Sequence, residues 1–437
     1  MARQPLEHVP LYLYSSGILE EMRVVLVSTH SDQTTGYAKV SHNLLKQLAT
    51  LSPKVKTFHF GFQRHPSRSG LRKAPDGIVS YDAAANEDPK EEGFGFNKLH
   101  EYLDTVTPDL VMIYNDPVTI YRFIESMKHE KGVSSYKLWL YVDQVYAGIA
   151  KPVMDFLYAH ADRMYAFSEL WKTALEGYGL AADVKVLEHA VDPTVFTSMS
   201  PEQRALIRKG MNLPEDAVVI LNANRNSQRK RLDLTIMGFV RILKEVPTAV
   251  LLLATNMSPQ SGAHYDLQRV IGEELLLAGL SPQTYASRFV LIDTSPPQLL
   301  DDQAINQLYN VSDLGINTSD GEGFGLCQLE HLYTGAPQVV SDVGTYRTFL
   351  PESVAVYIPS EGRGYFAGSM PHGAWYPTMT AEGVAAGLKT AIASLPALRA
   401  SAADYQFKSW AKVCDEWLGD ILTQTEGPAS IGFGPGS

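Results

Sequence analysis

Cysteine is nearly missing from this chain: Cys327 and Cys414 are the only two among 437 residues. Two cysteines make no disulfide framework and cannot furnish a four-cysteine metal site, so a reducing, cytoplasmic setting is expected. Long apolar runs are missing too. Val24–Val27 and Ala249–Ala254 have the length of a buried strand, well short of the roughly 18 residues that cross a membrane. The first 21 residues, MARQPLEHVPLYLYSSGILEE, lack the charged start and apolar core of a signal peptide. Residues 1–21 are therefore set aside as an N-terminal extension. Positive charge is in deficit: 37 Lys and Arg stand against 48 Asp and Glu, a net −11. That balance argues against nucleic-acid binding along a whole face.

Several chemistries lack their residues. No Asp-x-Asp ends a strand in the manner that holds a divalent metal for a nucleotide sugar, so no metal and no cofactor is expected. The acids of Leu300–Asp302 and of EDPKEE (87–92) sit in polar segments and read as solvated. No His-x-x-x-His pair suits a zinc hydrolase, and no G-x-S-x-G elbow occurs. The turn after the first strand lacks G-x-G-x-x-G, which counts against a nicotinamide dinucleotide.

What is present is alternation. RVVLVST (23–29) precedes a helical stretch near 37–50, and KVKTFHF, LVMIY, KLWLYV and DRMYAFS follow at helix-length intervals. A second series runs through AVVILNAN, TAVLLLAT, RFVLIDT, DLGINTS and APQVVSD. Such alternation predicts parallel sheets covered on both faces. The reading is α/β: two doubly wound, Rossmann-like domains, 22–200 and 201–403, with the ligand crevice at the carboxyl ends of the strands. Between the series, residues 188–216 are rich in turn residues, with one helix and no clear strand. Arg64–Glu92 reads as a long mobile loop, and 425–437 as a disordered tail. SWAKVCDEWLGDIL (409–422), within a closing segment 404–424, is apolar at helical spacing, so Trp410 and Trp417 read as packing residues.

One stretch carries chemistry: SDGEGFGLCQLEHLYTGAP (319–337). A strand ends near Thr318, a glycine-rich loop follows, and a helix is expected from about Phe324. Free amides and the positive dipole end at such a start suit a phosphate. Glu322 precedes this anion site, and Glu330 lies about 9 Å along the helix at 1.5 Å per residue. Two carboxylates flanking a phosphate turn can each accept hydrogen bonds from a diol, as on the two ends of a nucleotide diphosphate sugar. Either glutamate alone reads as a solvated acid; the whole string does not. Arg225 and Lys230, in NANRNSQRKRLDL, follow a strand and could neutralise a departing diphosphate from an open cleft, with little effect on stability.

EGFGLCQLE, followed by TGAPQVVSD, resembles the glutamate–seven residues–glutamate signature of retaining GT-B glycosyltransferases, family 4 in particular. The resemblance implies two domains facing across a cleft and a C-terminal helix crossing back to the first. It implies Glu322 on the transferred sugar, the Phe324, Gly325 and Leu326 amides on the diphosphate, and Glu330 on the ribose. It implies Arg225 and Lys230 on the diphosphate, leaving Arg229 and Arg231 as surface residues. Gly36, in STHSDQTTGYAKV, matches the glycine of a loop facing diphosphate and acceptor. Asp143 stands where many members carry a histidine facing the sugar; a sugar contact and a simple strand-end cap both stay open there. His331 replaces the usual alanine and is expected to alter local packing only. The activity implied is metal-independent transfer of a hexose from a UDP- or GDP-sugar to a hydroxyl of a sugar, lipid-linked or protein-linked acceptor, with retention of configuration. GDP-mannose is slightly favoured, with the base near 254–262 and 293–302. Alternatives on the same fold are a silent sugar-nucleotide-binding protein, an epimerase or a phosphorylase. The locally basic RHPSRSGLRK (64–73) reads as a solvated loop, weak peripheral membrane contact being the lesser reading.

Overall fold

The computed structural model describes residues 21–179, 184–367 and 373–424. The N-terminal extension up to residue 20 and the 425–437 tail lie outside the described residues.

Seven strands form the first sheet: β1 (Met22–Thr29), β2 (Val55–Phe62), β3 (Val79–Asp82), β4 (Leu110–Asn115), β5 (Lys137–Val142), β6 (Arg163–Ala166) and β7 (Val184–Val186). All pair in parallel, in the order β3-β2-β1-β4-β5-β6-β7. The second sheet holds β8 (Val218–Asn222), β9 (Ala249–Thr255), β10 (Phe289–Asp293), β11 (Leu314–Asn317), β12 (Gln338–Ser341) and β13 (Ala355–Ile358). It too is parallel, in the order β10-β9-β8-β11-β12-β13. Central strands such as β4 and β9 are buried along their full length, because helices cover both faces; their polar side chains, Asn115 and Thr255, stand at the carboxyl ends. The strand order reverses between β1 and β4 and again between β8 and β11. Loops leaving neighbouring strands there diverge and open a crevice at their carboxyl ends.

The helix Gly36–Ala49 follows β1. Thr35 caps it by accepting from the Ala38 amide at 3.1 Å, one of the donors that no carbonyl inside the helix can reach. The last helix, Trp410–Thr423, packs on this helix. It buries Trp410, Cys414, Trp417 and Ile421 in the first domain's core, a 4-3-4 spacing that places all four on one face. Asp420 on its polar side accepts from Tyr165 Oη at 2.9 Å and Lys185 Nζ at 3.0 Å. The crossover is thus held by packing and by ion pairs.

The sequence reading missed β3, β7 and β13. Each lies at a sheet edge, where half-exposed positions need no continuous apolar run. β3 falls inside Arg64–Glu92, so that segment is a sheet edge and two single turns of 3₁₀ helix, Pro66–Arg68 and Pro89–Glu91, rather than a patternless loop. An antiparallel hairpin, β14 (Gly362–Ala367) and β15 (Gly373–Thr378), pairs with neither sheet. Its glycines, proline and aromatics gave no alternating signal. Among the described residues no helix is long and apolar enough to cross a membrane.

Candidate active site

The crevice between the sheets holds a cavity of about 500 Å³. Gly36, Asp143, Arg225, Lys230, Glu322, Phe324, Gly325 and Leu326 all line it. The fold therefore gathers residues scattered over nearly 300 positions, each on the loop or in the first turn of helix that follows the carboxyl end of β1, β5, β8 or β11. Glu330 is the exception. It faces a second, smaller cavity of about 210 Å³, and Lys39, Arg72 and Asp302 form the partition, since they line both.

Glu322 sits on a buried polar scaffold. Asn317, the last residue of β11, donates its amide to Glu322 Oε1 at 3.0 Å, and Ser319 Oγ donates to the same oxygen at 2.7 Å. Lys230 Nζ donates to Oε1 as well, and Arg229 Nη1 reaches Oε2 at 3.4 Å. Burial alone would raise the carboxyl pKa, but the Lys230 ammonium and the Arg229 guanidinium outweigh it and hold Glu322 well below the usual carboxylate range. Lys230 is pulled down to about 8 by the same burial, with Glu322 opposing. Both groups are therefore charged at neutral pH. Lys230 is only 8% exposed, so it is a buried partner of Glu322 rather than a side chain standing free in an open cleft. Arg229 is not a surface residue either: it lines the cavity and donates to Gly321 O. Arg231 turns away to Asp233 and Asp320. Spacing alone separates these neighbours poorly, because a single turn of 3₁₀ helix at Gln228–Lys230 decides which of the basic side chains faces inward.

The helix that follows begins at Leu326, two residues later than expected, with Gly325 as its N-cap at φ 100°. A Cβ at Gly325 would lie 2.5 Å from the Tyr346 ring, so backbone conformation and space both favour glycine. Gly323 approaches across the cleft: a Cβ there would lie 2.9 Å from Asp143 Oδ1. Its carbonyl accepts from Trp171 Nε1 and Thr345 Oγ1, both at 2.7 Å, so the first domain braces the turn directly. Phe324 stacks on Phe349, 4.7 Å between centroids. Gln328 N is the first amide to bond back, to Gly325 O at 3.1 Å, so the amides of Gly325, Leu326 and Cys327 have no acceptor inside the helix; these residues line the cavity, an arrangement suited to an anion.

Glu330 is 2% exposed and its two oxygens each lie 2.8 Å from Lys39 Nζ. Tyr309 Oη donates to it at 3.3 Å. Burial pushes the Glu330 carboxyl up, and the Lys39 ammonium restrains the rise. Lys39 also lies 3.6 Å from Asp302, which receives a two-pronged contact from Arg72 at 2.7 Å on each oxygen. Two cations of the first domain thus bridge to two carboxylates of the second. Asp302 is a partner in this bridge, not a solvated acid of a polar segment. Nothing in the sequence pairs positions 39 with 330 or 72 with 302; only the facing of the two domains does. His331 donates to or accepts from Ser312 Oγ at 2.8 Å and stacks on Tyr309, so it is a core residue.

Asp143 follows β5 directly. Tyr114 Oη donates to it at 3.3 Å. Its carboxyl is pushed up to about 7, by burial first and then by the nearby Asp116 charge, with Tyr114 and Arg229 opposing. Among the described residues, no group of three or more His, Cys, Asp or Glu converges as a metal site.

The chain matches no protein-family model. It is 29% identical over 202 residues to a D-inositol 3-phosphate glycosyltransferase of Geodermatophilus obscurus, covering 45% of this chain and 42% of that protein. It is 25% identical over 168 residues to a mannosylfructose-phosphate synthase of Agrobacterium fabrum, covering 38% and 34%. The chain thus matches less than half the length of these curated relatives. Solved structures align over almost the whole chain. A sucrose-phosphate synthase from Thermosynechococcus elongatus superposes with a TM-score of 0.66 at 16% identity, covering 92% of this chain and 98% of that one. Anabaena HepE in complex with UDP and glucose gives 0.63 at 14%, covering 92% and 100%. With these structures superposing on over nine-tenths of the chain, the two parallel, doubly wound sheets facing across a crevice are the GT-B glycosyltransferase fold.

Proposed function

We propose that the chain is a retaining, metal-independent hexosyltransferase that uses a nucleotide diphosphate sugar. The observation that carries this reading is the placement of Glu322, Lys230, Arg225 and the Gly325–Leu326 turn around one interdomain cavity. The diphosphate lies against the helix start at Leu326, with Arg225 and Lys230 taking up charge as the sugar–phosphate bond breaks. Glu322, ionised and fixed by four donors, accepts hydroxyls of the transferred sugar, and Asp143 faces the same sugar from the first domain. Glu330 receives the ribose diol. A carboxylate oxygen that accepts from Lys39 keeps a second lone pair, and the Lys39–Arg72 partition opens or shares its carboxylates when the nucleoside enters. The acceptor oxygen bonds to the anomeric carbon on the face the diphosphate leaves, and its proton passes to the departing phosphate oxygen. The complexes of HepE with UDP and glucose and of an Escherichia coli neighbour with UDP-2-fluoro glucose support a UDP-sugar as the first donor to try, ahead of GDP-mannose. The two free cysteines fit a cytoplasmic location.

The test is radiolabelled transfer from UDP-glucose and GDP-mannose, with the product's anomeric configuration read by NMR. An inverted product refutes retention. Tight nucleotide-sugar binding with neither transfer nor hydrolysis refutes the enzyme.

A further inference from the structure

A third cavity, also of about 500 Å³, adjoins the first. The two share Tyr37, Asp116, Asp143, Val145, Arg225 and Arg229, so they meet at the point where the transferred sugar would lie. The outer walls differ in kind. Tyr146 rises from the loop after β5, and Tyr376 comes from β15 of the hairpin that joins neither sheet. Gly364 lies directly opposite Tyr376 on β14, and a Cβ there would be 2.5 Å from the Tyr376 ring. The tyrosine therefore lies across the bare backbone of its partner strand. Trp375 and Tyr365 point to the opposite face by strand alternation and are 60% and 56% exposed.

Gln144 also lines this cavity. It is 2% exposed, and both its amide oxygen and its amide nitrogen lack a hydrogen-bond partner. A buried carboxamide with neither end satisfied is costly, and a ligand bearing a hydroxyl, which donates and accepts at once, would satisfy it. The charged lining comprises Asp116, Asp143 and Asp320 against Arg225 and Arg229, and Arg229 is already engaged by Glu322. Among the described residues that line it the cations are these two, Arg225 assigned to the donor diphosphate and Arg229 held by Glu322, so none remains for an acceptor phosphate.

We propose that this cavity is the acceptor site and that its ligand is an uncharged saccharide, one ring lying against Tyr376 and Tyr146 and a hydroxyl held by Gln144. The inference rests on the glycosyltransferase reading for the word acceptor, but the binding site can be tested without it. Saturation-transfer NMR on the full chain, with UDP present, would compare a mixture of maltose, cellobiose, lactose and sucrose with a mixture of glucose 6-phosphate, fructose 6-phosphate and mannose 6-phosphate. Signals from the neutral mixture are expected, and Tyr376→Ala and Gln144→Leu should each weaken them about ten-fold, the loss of one wall or one anchor of a pocket. Trp375→Ala, on the other face of the hairpin, should leave them unchanged. UDP affinity and donor hydrolysis without acceptor should be unaltered in all three variants. Binding of the phosphorylated sugars only, no binding of any sugar, or full binding by Tyr376→Ala and Gln144→Leu would each overturn the proposal. Saccharide binding with no effect of any nucleotide sugar would instead leave this site standing and sink the transferase reading.

Discussion

Replacing Asp143 by asparagine should change how stability depends on pH. In the folded chain its carboxyl titrates near 7 instead of 3.8, because burial, and then Asp116, disfavour its charge. Between those pH values the folded protein keeps a proton that the unfolded chain has released. The stabilisation is therefore fully present below the unfolded pKa and is lost as pH rises through the folded one. A rise of about 3 pH units at 1.36 kcal/mol each comes to about 4 kcal/mol. Asp143 borders a cavity open to water, so about half of that, ~2 kcal/mol, is the better expectation. Asparagine keeps an oxygen for Tyr114 and never ionises. Urea unfolding of both proteins from about pH 4 to about pH 8 gives the difference directly, because every other titrating group is common to both. Asp143→Asn should match the wild type near pH 4 and exceed it by ~2 kcal/mol near pH 8. Parallel curves over the whole range would mean that Asp143 is ionised throughout, and that the account of its environment is wrong.

Arg225→Ala and Lys230→Ala should each lower transfer by about two to three orders of magnitude, as for one lost electrostatic donor; near-normal rates from both would remove them from the mechanism. Lys230→Ala should also destabilise the apo protein by about 3–5 kcal/mol, because Glu322 is left charged and unpaired, and adding Glu322→Gln should recover part of that loss. Transfer should survive excess EDTA with at most a few-fold loss, and full loss restored only by manganese or magnesium would refute the metal-free reading. In a thermal-shift panel of UDP, GDP, ADP and their sugars, one base should stand out, adding about 2.7 kcal/mol at 100 times its dissociation constant. There Glu330→Ala should weaken the bare nucleoside diphosphate and Glu322→Ala mainly the sugar-bearing form, and equal weakening of the bare diphosphate would refute that division.

Some of this protein was written locally in its sequence. Strand–helix alternation predicts two parallel sheets because burial on both faces forces apolar runs, and β1, β4, β5, β8 and β9 carry them. The glycine turn from Glu322 to Leu326 was legible because a strand, a turn and a helix start occupy consecutive residues, whereas the cavity that Glu330 lines was not, because Lys39 and Arg72 in the partition between the two cavities come from the other domain. Of the two sheets' four edge strands, β10 carried an apolar run of its own, but β3, β7 and β13 were not legible, since an edge is held by a neighbour rather than by its own pattern. Nor was the burial of Lys230, which depends on Asn317 and Ser319 fixing Glu322 some 90 positions away. The Lys39–Glu330 and Arg72–Asp302 bridges join residues 291 and 230 positions apart, and the Gln144–Tyr376 cavity joins β5 to a hairpin of the other domain. No local propensity links such positions. They come together only because two independently patterned sheets pack with their switch points facing, and that facing is set by side chains that meet for the first time in the folded molecule.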